Sequence, residues 1–205
     1  MKYIIATHNK DKVREVSRIL QPLGIEVVTD RDLGIVLPEV EETGVTFAEN
    51  AMLKARSACE FCGMPAIADD SGIVVDALGG APGVYSARYG GPELDDDGRN
   101  LLLLKELEGV PWEQRTAHYA CAVCCVFPDG QSPITAEGEM HGFVGVEQRG
   151  ERGFGYDPLF YVKGPDGTYV TSAELTDEEK DAISHRGNAL RLFRKELLNR
   201  MDEEK

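Results

Sequence analysis

Several absences narrow what this 205-residue chain can be. No apolar run approaches the roughly 20 residues that a membrane span requires, and the opening MKYIIATHNK turns polar too early for a secretory signal. A soluble, cytoplasmic protein is expected. Basic charge is scarce: 22 Lys and Arg stand against 36 Asp and Glu, a formal net charge of −14. So acidic a chain excludes long nucleic-acid tracts and anionic membranes as partners, because both are held by clustered Lys and Arg. A small anionic substrate stays open, provided that cations are gathered in one place. The Walker glycines and the dinucleotide fingerprint are both missing. Internal repeats, linkers and low-complexity segments are missing too.

What is present suffices for a core. The length and the 42% apolar content fit a single domain over residues 1–205, in one or two lobes. Five cysteines contain two C-x-x-C spacings, CEFCG and CAVCC, which could be paired as a zinc site. The second spacing, however, lies in the apolar stretch HYACAVCCVF, where strand alternation sends Cys121 and Cys125 to one face and Cys124 to the other. Free thiols acting as small core residues are therefore the default.

Strand and helix signals alternate along the chain. KYIIAT and IEVVT predict strands around a helix from Asn9 to Leu20 that carries Val13, Val16 and Leu20 on one face. Thr46, with Glu49 three residues on, predicts a capping box that opens a helix through about Cys62. PAIAD and GIVVDAL predict two strands on either side of a turn holding Asp69 and Asp70, and LDDDGRNLLLLKELEG a helix stopped by Gly109. TAHYACAVCCVF and SPITAEGEMHGFVG predict two further strands joined by PDGQ, and a last helix from about Thr176 is interrupted near SHRG. Hairpins mixed with strand–helix alternation predict an α/β protein with a mixed sheet.

Five stretches can carry chemistry. In AIADDSGIVVDALGGAPGVYSARYGG two carboxylates stand side by side, and because an unpaired buried carboxylate is costly, they are expected to face water or to share a cation. ATHNKDK brings a strand end to a helix start beside Thr7, Asn9, Lys10 and Lys12, which outlines either an anion site or an ordinary capped helix. In EETGVTFAENAMLKARSA, Asn50 and Lys54 share a helix face, with Glu41 and Glu42 in the preceding glycine turn. GFGYDPLF presents Phe154, Tyr156 and Asp157 on a loop, as base-stacking groups or as core anchors. EEKDAISHRGNAL places Lys180 and Ser184 one helical turn apart, followed by His185 and Arg186.

Together and in this order, these stretches resemble the inosine/xanthosine triphosphate pyrophosphatase family, from Lys2 to about Leu198. The resemblance implies an elongated mixed β-sheet flanked by helices, two lobes with an active-site cleft between them, a homodimer, and magnesium as cofactor, with manganese suited to the same oxygen ligands. It implies hydrolysis of damaged purine nucleoside triphosphates to the monophosphate and pyrophosphate. Asp70 is implied as general base or activator of a metal-held water, with Asp69 and the Glu41/Glu42 pair providing or supporting metal coordination. Thr7, Asn9, Lys12, Lys54, Ser71 and Lys180 are implied for the triphosphate, with Arg88 adding charge, and His8, Lys10, Asp11 and Gly155 as further substrate-binding residues. Phe154 and Tyr156 are implied as the apolar and stacking walls, Asp157 as fixing that loop or the base, and His185 and Arg186 as donors to the purine C6 oxygen. His8 and Tyr156 depart from the commonest residues at their positions. Two other readings are a pyrophosphatase of other modified nucleotides and a nucleotide-binding module without turnover.

Overall fold

The computed structural model describes residues 1–164 and 166–203; Pro165 of VKGPDGTY and residues 204–205 lie outside it. Seven strands, β1 (Lys2–Ile5), β2 (Glu26–Val28), β3 (Ala66–Val75), β4 (Thr116–Val126), β5 (Ile134–Val144), β6 (Phe160–Lys163) and β7 (Tyr169–Thr171), form one sheet in the order β2-β1-β3-β4-β5-β6-β7. Five helices accompany it: α1 (Lys10–Leu20), α2 (Phe47–Cys62), α3 (Asp96–Glu106), α4 (Asp177–Ile183) and α5 (His185–Glu203). β1 runs parallel to β2 and to β3, whereas β5, β6 and β7 pair antiparallel. The mixture follows from the connections. A helix-bearing crossover returns the chain parallel, whereas β6 returns antiparallel to β5 after a long loop and β7 to β6 after a short turn.

Two compact units divide the chain, one of Met1–Asp70, Cys121–Gly138 and His185–Lys205, the other of Ser71–Ala120 and Glu139–Ser184. In the first, Val16 and Leu20 of α1 and Leu190 and Phe193 of α5 bury against Ile5, Ile67 and Val123. Ala51 and Ala55 of α2 lie against Ala68, Ala122 and Cys124, where small side chains let helix and strand backbones approach closely. The core of the second unit gathers Ile73 and Val75 with Leu103, Tyr119, Leu159 and Phe160.

The helix starts agree with their sequence signals. Asn9 caps α1 through its side chain, and Thr46 caps α2 in a reciprocal capping box with Glu49. The break near SHRG is the extended residue Ser184, whose amide still donates to the Lys180 carbonyl. One expectation fails: the segment around Asp69 and Asp70 is one unbroken ten-residue strand rather than two strands about a turn. The short strands β6 and β7 have no counterpart in the sequence reading. All five cysteines are free thiols, Cys121 and Cys125 fall in a different cluster from Cys124, and no three His, Cys, Asp or Glu side chains among the described residues gather as metal ligands. The two C-x-x-C spacings do not assemble a zinc site.

Candidate active site

The continuity of β3 changes what its paired carboxylates do. Neighbouring residues of a strand point to opposite faces, so Asp69 and Asp70, both buried, make their direct contacts in two clusters, although Lys12 and Lys54 each act on both carboxylates through charge. Asp69 Oδ2 accepts from Lys12 Nζ of α1 at 3.0 Å and from Arg186 Nε and Nη2 of α5 at 3.1 and 3.0 Å. The same guanidinium reaches Glu15 of α1 through Nη1. Arg186 is 1% exposed, which makes it one of the largest fully buried side chains. Burial alone would raise the Asp69 carboxyl, but Lys12 and Arg186, with Lys54 behind them, outweigh it and hold Asp69 well below the usual carboxylate range. Arg186 is correspondingly held charged against its burial by Asp69 and Glu15.

Asp70 faces α2. Its Oδ1 accepts from Lys54 Nζ at 3.0 Å, the same ammonium donates to Glu42 Oε1 at 2.9 Å, and Asn50 Nδ2 reaches Asp70 Oδ2 at 3.3 Å. Asn50 Oδ1 in turn accepts from the Gly44 amide at 2.8 Å. Gly44 is needed there, since a Cβ would lie 2.6 Å from Asn50 Oδ1 and 2.7 Å from Glu49 Cβ. The loop bearing Glu42 is thus pinned to the helix bearing Lys54. Burial pushes the Asp70 carboxyl above its ordinary value by more than Lys54 lowers it, and Glu42 adds to the rise. Burial would lower Lys54, but Asp70 and Glu42 dominate and raise it. Two adjacent carboxylates therefore titrate in opposite directions, the pattern by which a site separates a fixed anion from a proton acceptor.

The other expected residues fall in both units. Around α1, Asn9 Oδ1 already takes the Asp11 and Lys12 amides at 2.9 and 3.3 Å, and Thr7 Oγ1 takes the Asn9 amide. Those donors are used by the cap, as in the ordinary-helix reading. Exposed His8 pairs with Asp30 at 3.2 Å, Asp11 with Arg14, and Lys10 and Glu41 are exposed. In the second unit, Ser71 is half-buried on β3, and Arg88 is exposed with its guanidinium 5.1 Å from the Tyr85 ring centre. Asp157 Oδ2 accepts from the Phe154 amide at 2.9 Å and from Lys180 Nζ at 2.7 Å, and that ammonium lies 5.0 Å from the Phe154 ring centre. Tyr156, expected as a stacking wall, is a core residue: it is 5% exposed and donates its hydroxyl to the Ser86 carbonyl at 2.8 Å. Phe154 keeps partial exposure on the loop. His185 is buried, and its carbonyl lies 2.4 Å from where a Cβ on Gly138 would stand, so only glycine allows this approach.

Sequence reasoning missed Glu15 and the part that Asn50 plays. The signal for Glu15 was an acid on the inward face of an amphipathic helix, one turn after Lys12 and beside Val16. For Asn50 it was an amide one turn before Lys54.

Residues 3–196 match the Ham1 family model. A dITP/XTP pyrophosphatase of Haemophilus influenzae is 51% identical over 197 residues, covering 96% of this chain and 98% of its own, and one from Bacillus subtilis is 48% identical over 194 residues, covering 95% and 96%. Among solved structures, a HAM1 protein from Coxiella burnetii superposes with a TM-score of 0.85 at 39% identity, covering 97% of this chain and 99% of that one. A nucleoside-triphosphatase and dITP/XTP pyrophosphatase from Mycobacterium abscessus gives 0.73 at 44% identity, covering 94% and 98%. With nearly every residue of the chain inside these matches, the protein belongs to the Ham1 family.

Proposed function

We propose that this protein hydrolyses non-canonical purine nucleoside triphosphates, dITP, XTP and ITP, to the monophosphate and pyrophosphate, in the cytoplasm, as a magnesium-dependent homodimer. The observation that carries the reading is the pair of opposed carboxylates on β3, Asp70 beside Lys54 and Glu42 and Asp69 beside Lys12 and Arg186. It stands together with relatives near 50% identity that are named dITP/XTP pyrophosphatases.

A metal fits this donor set. Glu42 and Asp70 converge on one ammonium, so the two carboxylates share a cation position, and magnesium is typically bound through one or two carboxylates plus substrate phosphates rather than by an all-protein cage. Glu42 and Asp70 would hold the ion, with exposed Glu41 next to Glu42 in the chain; Asp69, matched by two fixed cations, would hold Lys12 in place. When bound, the ion offsets the charge that develops on the phosphate oxygens during attack.

The chain's own residues supply the rest. Lys12 and Lys54 present positive charge to the phosphates, and Asp70 serves the attacking water as its proton acceptor. The Asn50 amide holds the Asp70 carboxylate in orientation. Phe154 supplies the aromatic surface for the purine, and His185 a donor to its C6 oxygen. Arg186 acts through Asp69, as a positioning residue.

Assay of purified protein with dITP and magnesium is expected to release pyrophosphate and monophosphate, and chelator is expected to abolish the reaction. Release of orthophosphate and diphosphate would overturn the reading. Equal activity on altered pyrimidine triphosphates would favour a broader pyrophosphatase, and binding without turnover a regulatory module.

A further inference from the structure

The helix from GPELDDDGRN has no role in the chemistry above, yet it grips the loop that carries Phe154. Gly155 has φ +61°, a left-handed conformation that only glycine adopts at low cost. Both peptide groups flanking its Cα are held from α3. The Gly155 amide donates to Asp96 Oδ2 at 3.0 Å, and the Gly155 carbonyl accepts from Asn100 Nδ2 at 3.0 Å. Asp96 and Asn100 are four residues apart and therefore lie on one face of the helix. Asp95 caps α3 through the Gly98 amide at 2.8 Å, so the cap does not draw on Asp96. Asn100 is 1% exposed, and its Nδ2 also reaches Gln148 Oε1 at 3.2 Å.

The clamp holds the chain after Phe154, and Asp157 holds the chain before it. The Phe154 amide is on Asp157, the Lys180 ammonium is beside its ring, and the next two peptide groups are on α3. We infer that Asp96 and Asn100 are positioning residues for substrate recognition: they preorganise the Phe154–Gly155 peptide, so that the ring does not have to be ordered when a purine arrives. The inference rests on the reading of Phe154 as the purine-stacking residue. Preorganisation of this kind lowers the ordering cost at binding and leaves the chemical step alone. Its loss should raise KM without changing kcat.

Asp96 is solvent-exposed, does not cap α3 and, among the described residues, otherwise pairs only with Arg99 one turn on, at 3.2 Å, so Asp96→Ala should fold normally; Asn100→Leu keeps the branched shape and removes the donor without burying a charge. Asp97→Ala, which removes an equal first-turn charge that makes no hydrogen bond to the loop among the described residues, controls for the helix dipole. With dITP as the substrate, Asp96→Ala and Asn100→Leu are expected to raise KM roughly three- to tenfold, the range for one lost hydrogen bond, with kcat within about twofold of wild type, and Asp97→Ala to match wild type. Hydrogen exchange of residues 150–158 without nucleotide should quicken in the first two variants only. Unchanged KM in both, or a fall in kcat at unchanged KM that tracks lost folded protein, overturns the inference. If the wild-type chain turns over no nucleoside triphosphate, the reading of function falls, and the exchange measurement still decides whether α3 holds the loop. Wild-type exchange rates in both variants would then overturn the clamp.

Discussion

The two units use buried charge differently. In the first, charged side chains meet one another: Asp69 takes Lys12 and Arg186, Arg186 takes Glu15, and Lys54 bridges Glu42 and Asp70. In the second, they mostly hold main chain. Arg115 donates to the carbonyls of Leu107, Val110 and Gly145 at 2.7, 2.9 and 2.7 Å, and even the buried pair of Asp157 and Lys180 also ties the Phe154 amide. Charges set against charges make a field that a reacting anion can feel. Charges set against peptide groups shape loops.

The largest effect that separates the two uses is expected from Arg186→Ala. Removing one partner of a buried ion pair leaves an uncompensated charge, which typically costs about 3–5 kcal/mol. Denaturant unfolding should show a loss of that order, with Asp69 and Glu15 as its cause. Activity on dITP and on ATP should fall together; a selective loss on dITP in a stable variant would show instead that Arg186 reads the base.

Asp70→Asn should do the reverse, lowering turnover on the order of a hundredfold or more while unfolding stability hardly changes, because the amide removes a charge that burial disfavours. Near wild-type pyrophosphate release from this variant would place the base elsewhere. In the second unit, Arg115→Met removes three hydrogen bonds to main-chain carbonyls, of which that of Leu107 keeps the Val110 amide, and should cost about 2 kcal/mol without altering the kcat of the protein that remains folded. A large fall in kcat there would erase the distinction between the units.

The smallest effect is a difference in slope with pH. The depressed Asp69 carboxyl contributes stability that is complete above the unfolded value near 3.9 and is lost as pH falls below it. Asp70, raised in the folded state, has the opposite sign: its contribution is present below the unfolded value and is lost as pH rises through the folded one. Unfolding measured between about pH 3 and 6 should therefore depend less on pH in Asp69→Asn than in wild type and more in Asp70→Asn. Identical slopes in all three proteins would mean that the two carboxylates do not titrate apart.

How much was legible in the sequence differs between these elements for physical reasons. The caps at Asn9 and Thr46 were readable because the side chain and the amides it satisfies lie within a few residues of one another. The single strand through Asp69 and Asp70 was not, because aspartate disfavours strands and the cations that reverse this preference come from α1, α2 and α5. Likewise β7, three residues long beside a glycine turn, carries too little pattern to announce itself; its register with β6 is what makes it a strand. Tyr156 and Phe154, two residues apart on one loop, look alike in sequence, and only packing sends one into the core.

The sequence by itself determined the family resemblance, the α/β class, the capped helices, the alternation of the cysteines and the residue types available for phosphate chemistry, all of which depend on neighbours along the chain. Which carboxylate is pushed below its ordinary range and which above it, that Arg186 is locked on Asp69 and Glu15, and that α3 holds Gly155 were decided by the tertiary structure alone. Each depends on groups tens to more than a hundred residues apart, with Asp69 and Arg186 separated by 117 positions, and on the low-dielectric burial that makes their contacts strong.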